Sequence, residues 1–162
     1  GDKVTVMPSG FTSTIKSIDT FEGELKEAYA PMSVSITLEN DIDVSRGDMI
    51  VKTTNQPKSV QEFDTMLCWL NNNSARPKTK YTILHTSNEQ KAMIKDIMYK
   101  IDINTYSREE ENKELNMNDI ARVKIRTTRP LMVDKYRDNR ITGSFVLIDD
   151  ATHETVAAGM IL

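Results

Sequence analysis

The chain has 162 residues, a hydrophobic content of 38% and a formal net charge of −3. That length provides one good hydrophobic core or two modest ones. No window approaches the ~18 apolar residues of a membrane-spanning helix, and the N-terminus lacks the pattern of a secretory leader. The negative charge argues against a protein that coats nucleic acid. Because Cys68 is the single cysteine, no intrachain disulfide is expected, and the composition predicts a soluble cytoplasmic protein.

The first third of the chain is predicted to consist of short strands. Apolar and β-branched residues alternate with polar ones, and turn residues such as the Pro-Ser-Gly triplet separate the runs. The predicted strands are Val4–Met7, Phe11–Ile18, Ser33–Leu38 and Met49–Val51. Polar turn residues then lead to Pro57, where we expect a domain boundary. The sequence therefore predicts one domain over 1–54 and a second over 57–162.

Two segments of the second domain carry both helical and strand patterns. Ser59–Glu62 matches a helix capping box, and apolar residues follow it at helical spacing. Lys91–Ile103 also has a helical apolar stripe, yet Tyr99 and its neighbours two residues away alternate as they would in a strand. The residues that form the helical stripes are Phe63, Met66, Leu67, Leu70, Met93, Ile94, Ile97, Met98 and Ile101. Periodicity leaves the choice between helix and strand open.

The C-terminal segment Arg137–Ile161 reads RDNRITGSFVLIDDATHETVAAGMI and is predicted to form a hairpin. Its two apolar runs, Phe145–Ile148 and Val156–Leu162, are separated by polar turn residues and resemble strands that are buried on both faces. The small residues 157–159 leave no room for bulk, so another strand or loop is expected to pass close to them. A closed barrel would produce such crowding.

No group of residues in the sequence forms a convincing chemical site. Cys68, His85 and His153 lack the spacing of metal ligands or of a nucleophile with its base. Cys68 is interpreted as a core residue beside Trp69, and most of the nine methionines as core residues too. The run Glu109–Glu111 is typical of a solvated loop, since adjacent carboxylates do not converge as an acid–base pair must. We therefore expect no catalytic, cofactor-binding or metal-binding residue.

One strand, Ala121–Thr127, has functional promise because its cations repeat every second residue. Alternation turns Ala121, Val123 and Ile125 inward and the cations between them outward, as a basic stripe. The stripe is predicted to meet an acidic partner, the acidic segment 19–48 of the same chain or a phosphate backbone, or to be only a charged outer face. Tyr136 is the only aromatic nearby in sequence, which disfavours RNA stacking. The candidate interface residues are Arg122, Lys124, Arg126, Arg129, Arg137 and Arg140.

Several phrases of the sequence resemble a known family. The C-terminal hairpin and the phrase DIDVSRGD at Asp41–Asp48 are the most specific. In chain order the matching phrases are GDKVTVMPSG, IDTFEGELKEAYAP, ITLENDIDVSRGDMIV, FDTMLCWL, KYTILHTS, YKIDINT, NDIARVKI and RPLMVDKYRDNRITGSF. They resemble the large GTPase subunit of bacterial sulfate adenylyltransferase, a relative of elongation factor Tu. The resemblance covers nearly the whole chain.

The resemblance implies an all-β fold of two elongation factor Tu-like barrels. Residues 1–54 would be part of the second-domain barrel, which is incomplete here, and 57–162 a six- or seven-stranded antiparallel barrel. Both ambiguous segments would then be strands. The chain has no GxxxxGK[ST] loop to hold a nucleotide, so GTP and magnesium are expected on a G domain that this chain lacks.

The function implied by the resemblance is scaffolding within a complex. The complex of that family makes adenylyl sulfate and pyrophosphate from ATP and sulfate, and GTP hydrolysis on the G domain drives the reaction. The barrels would couple the two activities and would be inactive alone. Their implied partners are the small catalytic subunit and the G domain, with no membrane. The alternative is that these are barrels of a translation-type GTPase that bind RNA, because the same fold serves both functions.

Overall fold

The computed structural model describes all residues from 1 to 162 and contains strands but no helix. None of its elements is therefore a helix long and apolar enough to span a membrane. The chain divides into two compact units, Gly1–Pro57 and Lys58–Leu162. The expected all-β fold is confirmed.

The first unit is a five-stranded antiparallel sheet with the order β3-β2-β1-β5, in which β4 also pairs with β2. Its core is small: Val4, Thr5 and Val6 of the first strand are buried, while Ile36 of β4 remains 38% exposed. The face of the Ser33–Leu38 segment that was expected to be buried is therefore only half covered by residues of this unit. The strands are β1 Lys3–Met7, β2 Thr12–Thr20, β3 Gly23–Leu25, β4 Ser35–Leu38 and β5 Met49–Lys52.

The second unit is a closed antiparallel barrel. Six strands follow one another in the order β10-β6-β12-β11-β7-β8, and pairing of β8 with β10 closes the ring, while the short β9 extends β8. The six- or seven-stranded barrel predicted for this region is confirmed. Its strands are β6 Lys58–Trp69, β7 Lys80–His85, β8 Asn88–Ile101, β9 Arg108–Glu109, β10 Ile120–Val133, β11 Ser144–Ile148 and β12 Thr155–Ile161.

Aromatic pairs fill the barrel interior. The Trp69 and Tyr81 rings meet edge to face with centroids 5.6 Å apart, and Phe63 meets Phe145 in the same way at 5.7 Å. Gly159 lies under the Phe145 ring: a Cβ atom at that position would lie 2.8 Å from Phe145 Cε2 and closer still to Cζ. The crowding predicted over the small residues of β12 is thus found at Gly159, where an aromatic side chain and not a passing strand or loop causes it, whereas Ala158 is exposed.

The two segments with helical patterns are strands β6 and β8. In β8 the register against β10 shifts twice, between Arg122 and Val123 and between Lys124 and Ile125. Each such bulge inserts one residue and turns the next side chain to the opposite face. The buried positions of β8 consequently fall at Ile94, Ile97 and Lys100, three residues apart. Two bulges therefore give this strand a spacing that resembles a helix.

The outer face of the barrel corrects three expectations. The hairpin strands β11 and β12 are not buried on both faces, since inward residues alternate with outward ones that are partly or largely exposed. Most methionines of the apolar runs are not core: Met160 is 42% exposed, and Met66, Met93 and Met98 are partly exposed. Cys68 is also partly exposed, because its neighbour Trp69 occupies the inward position and strand alternation turns Cys68 outward.

The loop 134–143 between β10 and β11 is tied to the barrel at several points. The Tyr136 amide donates to the Ile161 carbonyl at 2.9 Å, and the Ile161 amide donates to the Gly143 carbonyl at 2.8 Å. The Thr142 hydroxyl donates to Asp134 at 2.6 Å. Nε2 of the buried His85 lies 2.8 Å from the Thr142 carbonyl oxygen, which requires a hydrogen on that nitrogen. These bonds fix the loop that carries Arg137 and Arg140.

The buried His85 predicts a pH dependence of stability. Burial lowers the pKa of His85, although the bond to the Thr142 carbonyl opposes this effect. A depressed folded-state pKa means that the unfolded chain binds the proton more readily. We therefore expect neutral His85 to make its full contribution to the free energy of unfolding in urea above the ordinary histidine pKa of about 6.5. That contribution should be lost as the pH drops towards 5. His85→Gln should remove most of this slope, whereas substitution of the exposed His153 by Gln should leave it unchanged; equal slopes would contradict the assignment.

Candidate interaction surfaces

The basic stripe of β10 has the predicted orientation. Ala121, Val123 and Ile125 are fully buried, and the three cations between and after them lie on the outer face, partly exposed or exposed. The alternation that the sequence predicted for this strand is confirmed. Whether the stripe contacts a partner depends on what its charges already meet within the barrel.

Carboxylates of the neighbouring strand β6 accompany the stripe. Arg122 Nη2 lies 2.7 Å from Asp64, and Lys124 Nζ lies 3.7 Å from the same carboxylate. Arg126 Nε lies 3.7 Å from Glu62, which also accepts a bond from Lys95 at 2.8 Å. Cations and carboxylates therefore alternate across β10, β6 and β8, and much of the stripe's charge is compensated within the barrel.

The pairing shifts the pKa of two groups on this face. The hydrogen bond to Asp64 raises the pKa of the Arg122 guanidinium, with a second contribution from Tyr99. The hydrogen bond from Lys95 lowers the pKa of Glu62, and Arg126 adds to the effect. Both side chains are only partly exposed, at 37% for Arg122 and 36% for Glu62, and at such exposure solvent screens the pairs, so they contribute little to stability. They reduce the net positive potential that a phosphate backbone would meet.

Tyr99 is a feature of this face that the sequence did not reveal. It lies opposite Arg122 in the register of β8 and β10, and the Arg108 guanidinium lies 4.6 Å from the centre of its ring. The sequence left Tyr136 as the only aromatic near the stripe, because Tyr99 is more than twenty residues away from Arg122. Strand pairing alone brings it there. Tyr99 already binds Arg108, so its ring is engaged within the barrel.

The remaining candidate cations do not join the stripe. The backbone amide of Arg129 donates to Gln90 at 2.8 Å. Arg137 pairs at 3.4 Å with the adjacent Asp138, and both side chains are largely exposed. Arg140 lies on the loop 134–143 at the edge of a different cavity. The six candidate residues thus fall into three groups: Arg122, Lys124 and Arg126 on the paired strand face, Arg129 further along the same strand, and Arg137 and Arg140 on the loop 134–143.

That cavity is an apolar groove of about 780 Å³ on the outer face of the barrel. Its floor consists of outward side chains of β6, β11 and β12, and the loop 134–143 forms one wall. Met160 is 42% exposed here and Ile141 69%. Exposed apolar surface of this kind is typical of interaction sites. The groove lining includes Met66, Cys68, Leu84, Tyr136, Arg140, Ile141, Val146 and Met160.

The described residues offer no assembled metal centre. No group of three or more His, Cys, Asp or Glu side chains is placed to hold an ion. His85 is engaged with the Thr142 carbonyl inside the barrel, whereas His153 is exposed in the turn between β11 and β12. Glu109 lies 3.5 Å from the Lys100 ammonium, and Asp119 approaches the same ammonium at 3.2 Å. These two carboxylates form ion pairs with the mostly buried Lys100.

Comparison with known proteins identifies similar chains. The family model for GTP-eEF1A C-terminal domain-like proteins matches residues 62–162. The bifunctional enzyme CysN/CysC of Mycobacterium tuberculosis is 46% identical over the whole chain, which covers 26% of that protein. Sulfate adenylyltransferase subunit 1 is 42% identical in Sulfurovum sp. and 44% identical in Bacteroides fragilis, again over the whole chain, which covers 35% and 34% of those proteins.

A solved structure of sup35 complexed with GDP has the same fold. It superposes with a TM-score of 0.88 over 99% of this chain and 40% of its own, at 20% sequence identity. At that identity the likeness concerns the fold alone. The chain spans about a quarter to a third of the length of the curated relatives that it matches.

Proposed function

The chain belongs to the family of GTP-eEF1A C-terminal domain-like proteins, and we propose that it is the non-catalytic barrel portion of a sulfate adenylyltransferase GTPase subunit. The observation that carries the proposal is the similarity to sulfate adenylyltransferase subunit 1 over the entire chain. In this proposal a complex in the cytoplasm makes adenylyl sulfate from ATP and sulfate. The barrels couple that synthesis to GTP hydrolysis and are inactive alone.

The nucleotide and its magnesium ion are assigned to a G domain and not to these residues. The chain carries no glycine-rich phosphate-binding loop with its lysine. In the proposal, therefore, no residue of 1–162 binds GTP, and the barrels act as a scaffold. They hold other components of the complex at fixed positions.

The apolar groove is the surface we assign to the G domain. The relatives are about three to four times longer than this chain. In the proposal, other domains of the parent protein pack against the barrels. Permanent interfaces are more apolar than transient ones. The groove combines partly exposed Met66, Met160 and Ile141 with a rigid barrel behind them. These properties suit a domain that remains covalently attached.

The charged residues are the surface we assign to the small catalytic subunit. A separate chain has to be found by diffusion, and exposed charges steer that encounter. Arg137, and Arg140 at the edge of the groove, are exposed on a loop that backbone hydrogen bonds hold in place. Arg122, Lys124, Arg126 and Arg129 would contribute the complementary pattern, with their neighbouring carboxylates fixing the register of the contact.

Titration of the 162-residue chain with the purified small subunit, and separately with tRNA, tests the proposal. We expect binding to the small subunit, and a weakening of about three- to tenfold for Arg137→Glu combined with Arg140→Glu, because both exposed charges are reversed. Lys16→Glu combined with Lys52→Glu, which reverses two exposed lysines on the first unit, is the matched control. Salt-sensitive binding of tRNA without binding of the small subunit would instead support the translation-type alternative.

A further inference from the structure

A second cavity on the barrel surface is lined by cations and has no carboxylate in its lining. It encloses about 450 Å³ between β7, β8 and β10, beside the start of β6. Its charged residues are Lys80, Lys91 and Arg126, and its remaining lining residues are Gln61, Ala92, Met93, Thr127 and Thr128. This composition distinguishes it from the rest of the stripe, where each cation faces an acid.

Strand pairing brings two of these cations together. Lys80 of β7 lies directly opposite Met93 of β8, and Met93 lies opposite Arg126 of β10. The two cations therefore stand on either side of one methionine, about two strand spacings or ~10 Å apart at their Cα atoms. Side chains of this length reach across that distance, and both project on the outer face.

The three cations differ in what they already bind. Lys91 Nζ lies 2.7 Å from Asp150 and 2.9 Å from the Thr82 hydroxyl. Arg126 has only a long contact of 3.7 Å with Glu62, which bonds more closely to Lys95. No carboxylate lies within ion-pair distance of Lys80. The cavity therefore holds one free cation and one loosely held cation.

Neutral donors around the cavity are engaged within the protein. The Gln61 side chain donates to the carbonyl oxygens of Thr127 and Thr128 at 3.1 Å each. The Thr127 hydroxyl donates to the Arg129 carbonyl at 2.7 Å, and the Thr128 hydroxyl donates to Gln90 at 3.2 Å. These bonds make the cavity wall rigid and leave the ammonium and guanidinium groups as the donors. A ligand must therefore be an acceptor with negative charge.

From this geometry we propose that the cavity is a binding site for a small oxyanion with several negative charges, of the phosphate and pyrophosphate class. Such an anion accepts charge-assisted hydrogen bonds from Lys80 and Arg126 on its two sides. Lys91 lines the rim, but its ion pair with Asp150 leaves it without a net charge to offer. The site is separate from the groove and shares Arg126 with the surface assigned to the small subunit, but binding of the anion does not require the function proposed above.

The test is an amide NMR titration of the 162-residue chain with inorganic pyrophosphate. We expect saturable shifts at residues 80, 92, 93 and 127, and a binding constant that weakens as KCl is raised. Lys80→Gln and Arg126→Gln should each weaken binding by about fivefold or more, since each removes one charge-assisted donor. Lys52→Gln, an equal loss of charge on the first unit, should leave binding unchanged.

Three outcomes would overturn the proposal. One is the absence of saturable shifts up to millimolar pyrophosphate. Another is binding that Lys52→Gln weakens as much as Lys80→Gln does, which would show general charge attraction. The third is a set of amide shifts at these residues on addition of tRNA but not of pyrophosphate. That result would show that the surface binds an extended phosphate backbone and not a small anion. Unchanged spectra of the variants away from the cavity verify that each one is folded.

Discussion

Replacement of Gly143 with alanine is expected to lower the free energy of unfolding by about 3 kcal/mol or more, at the upper end of overpacking effects. A Cβ atom at this position would lie 2.6 Å from the Asn139 carbonyl oxygen and closer still to the Tyr136 backbone. Backbone atoms cannot rotate away as a side chain can. The loop 134–143 would have to lift, and its hydrogen bonds to Ile161 would break with it.

Urea unfolding of the unsubstituted and Gly143→Ala chains measures this loss of stability. Ser144→Ala is the matched control, because the adjacent residue is only partly buried and should change stability by less than about 0.5 kcal/mol. Gly143→Ala should also weaken binding of the small subunit, since Arg137 and Arg140 lie on the same loop. A Gly143→Ala chain as stable as the control would show that the backbone of Tyr136 and Asn139 does not pack against Gly143 as described.

Met160→Glu is expected to weaken docking of the parent's G domain on the barrel by about 100-fold, because an unpaired charge would be buried in an apolar interface. Met160 lies on the outer face of β12 within the groove and is 42% exposed in this chain. The substitution should therefore leave the thermal stability of the chain nearly unchanged. Titration of the chain with the separately produced G domain measures the affinity.

Ile103→Glu is the control for the groove. Ile103 is 61% exposed in the turn after β8 and lies outside the groove lining, so the same charge there should not affect docking. Equal affinities for the Met160→Glu and unsubstituted chains would remove the groove from the interface. Equal weakening by both variants would mean that the added charge acts at a distance.

Local patterns in the sequence predicted much of this fold, and their failures have physical causes. Ala121–Thr127 alternates strictly, so its inward and outward faces could be assigned from the residues alone. Lys91–Ile103 could not be assigned, because two bulges give the strand β8 buried positions three residues apart. Bulges arise from pairing with β10, a partner that periodicity within one segment does not reveal. Resemblance to a family resolved this segment where spacing did not.

The surfaces were harder to predict than the strands. The cations of β10 were found from their spacing, but their carboxylate partners Asp64 and Glu62 lie about sixty residues away and meet them only through the register of β6. The groove was missed because outward apolar residues such as Met160 have the same composition as core residues. Lys80 and Arg126 were not connected either, since only the barrel closure between β8 and β10 brings them near each other.

The most direct test of the account is the alkylation rate of Cys68, the single cysteine of this chain, which lines the groove and is partly exposed. Peptide-resolved mass spectrometry can follow its reaction with a maleimide in the 162-residue chain and in the full-length parent. If the barrel is a scaffold that seats the G domain in this groove, labelling should be roughly tenfold or more slower in the parent, because docking buries the thiol. Equal rates in the two proteins would contradict the account.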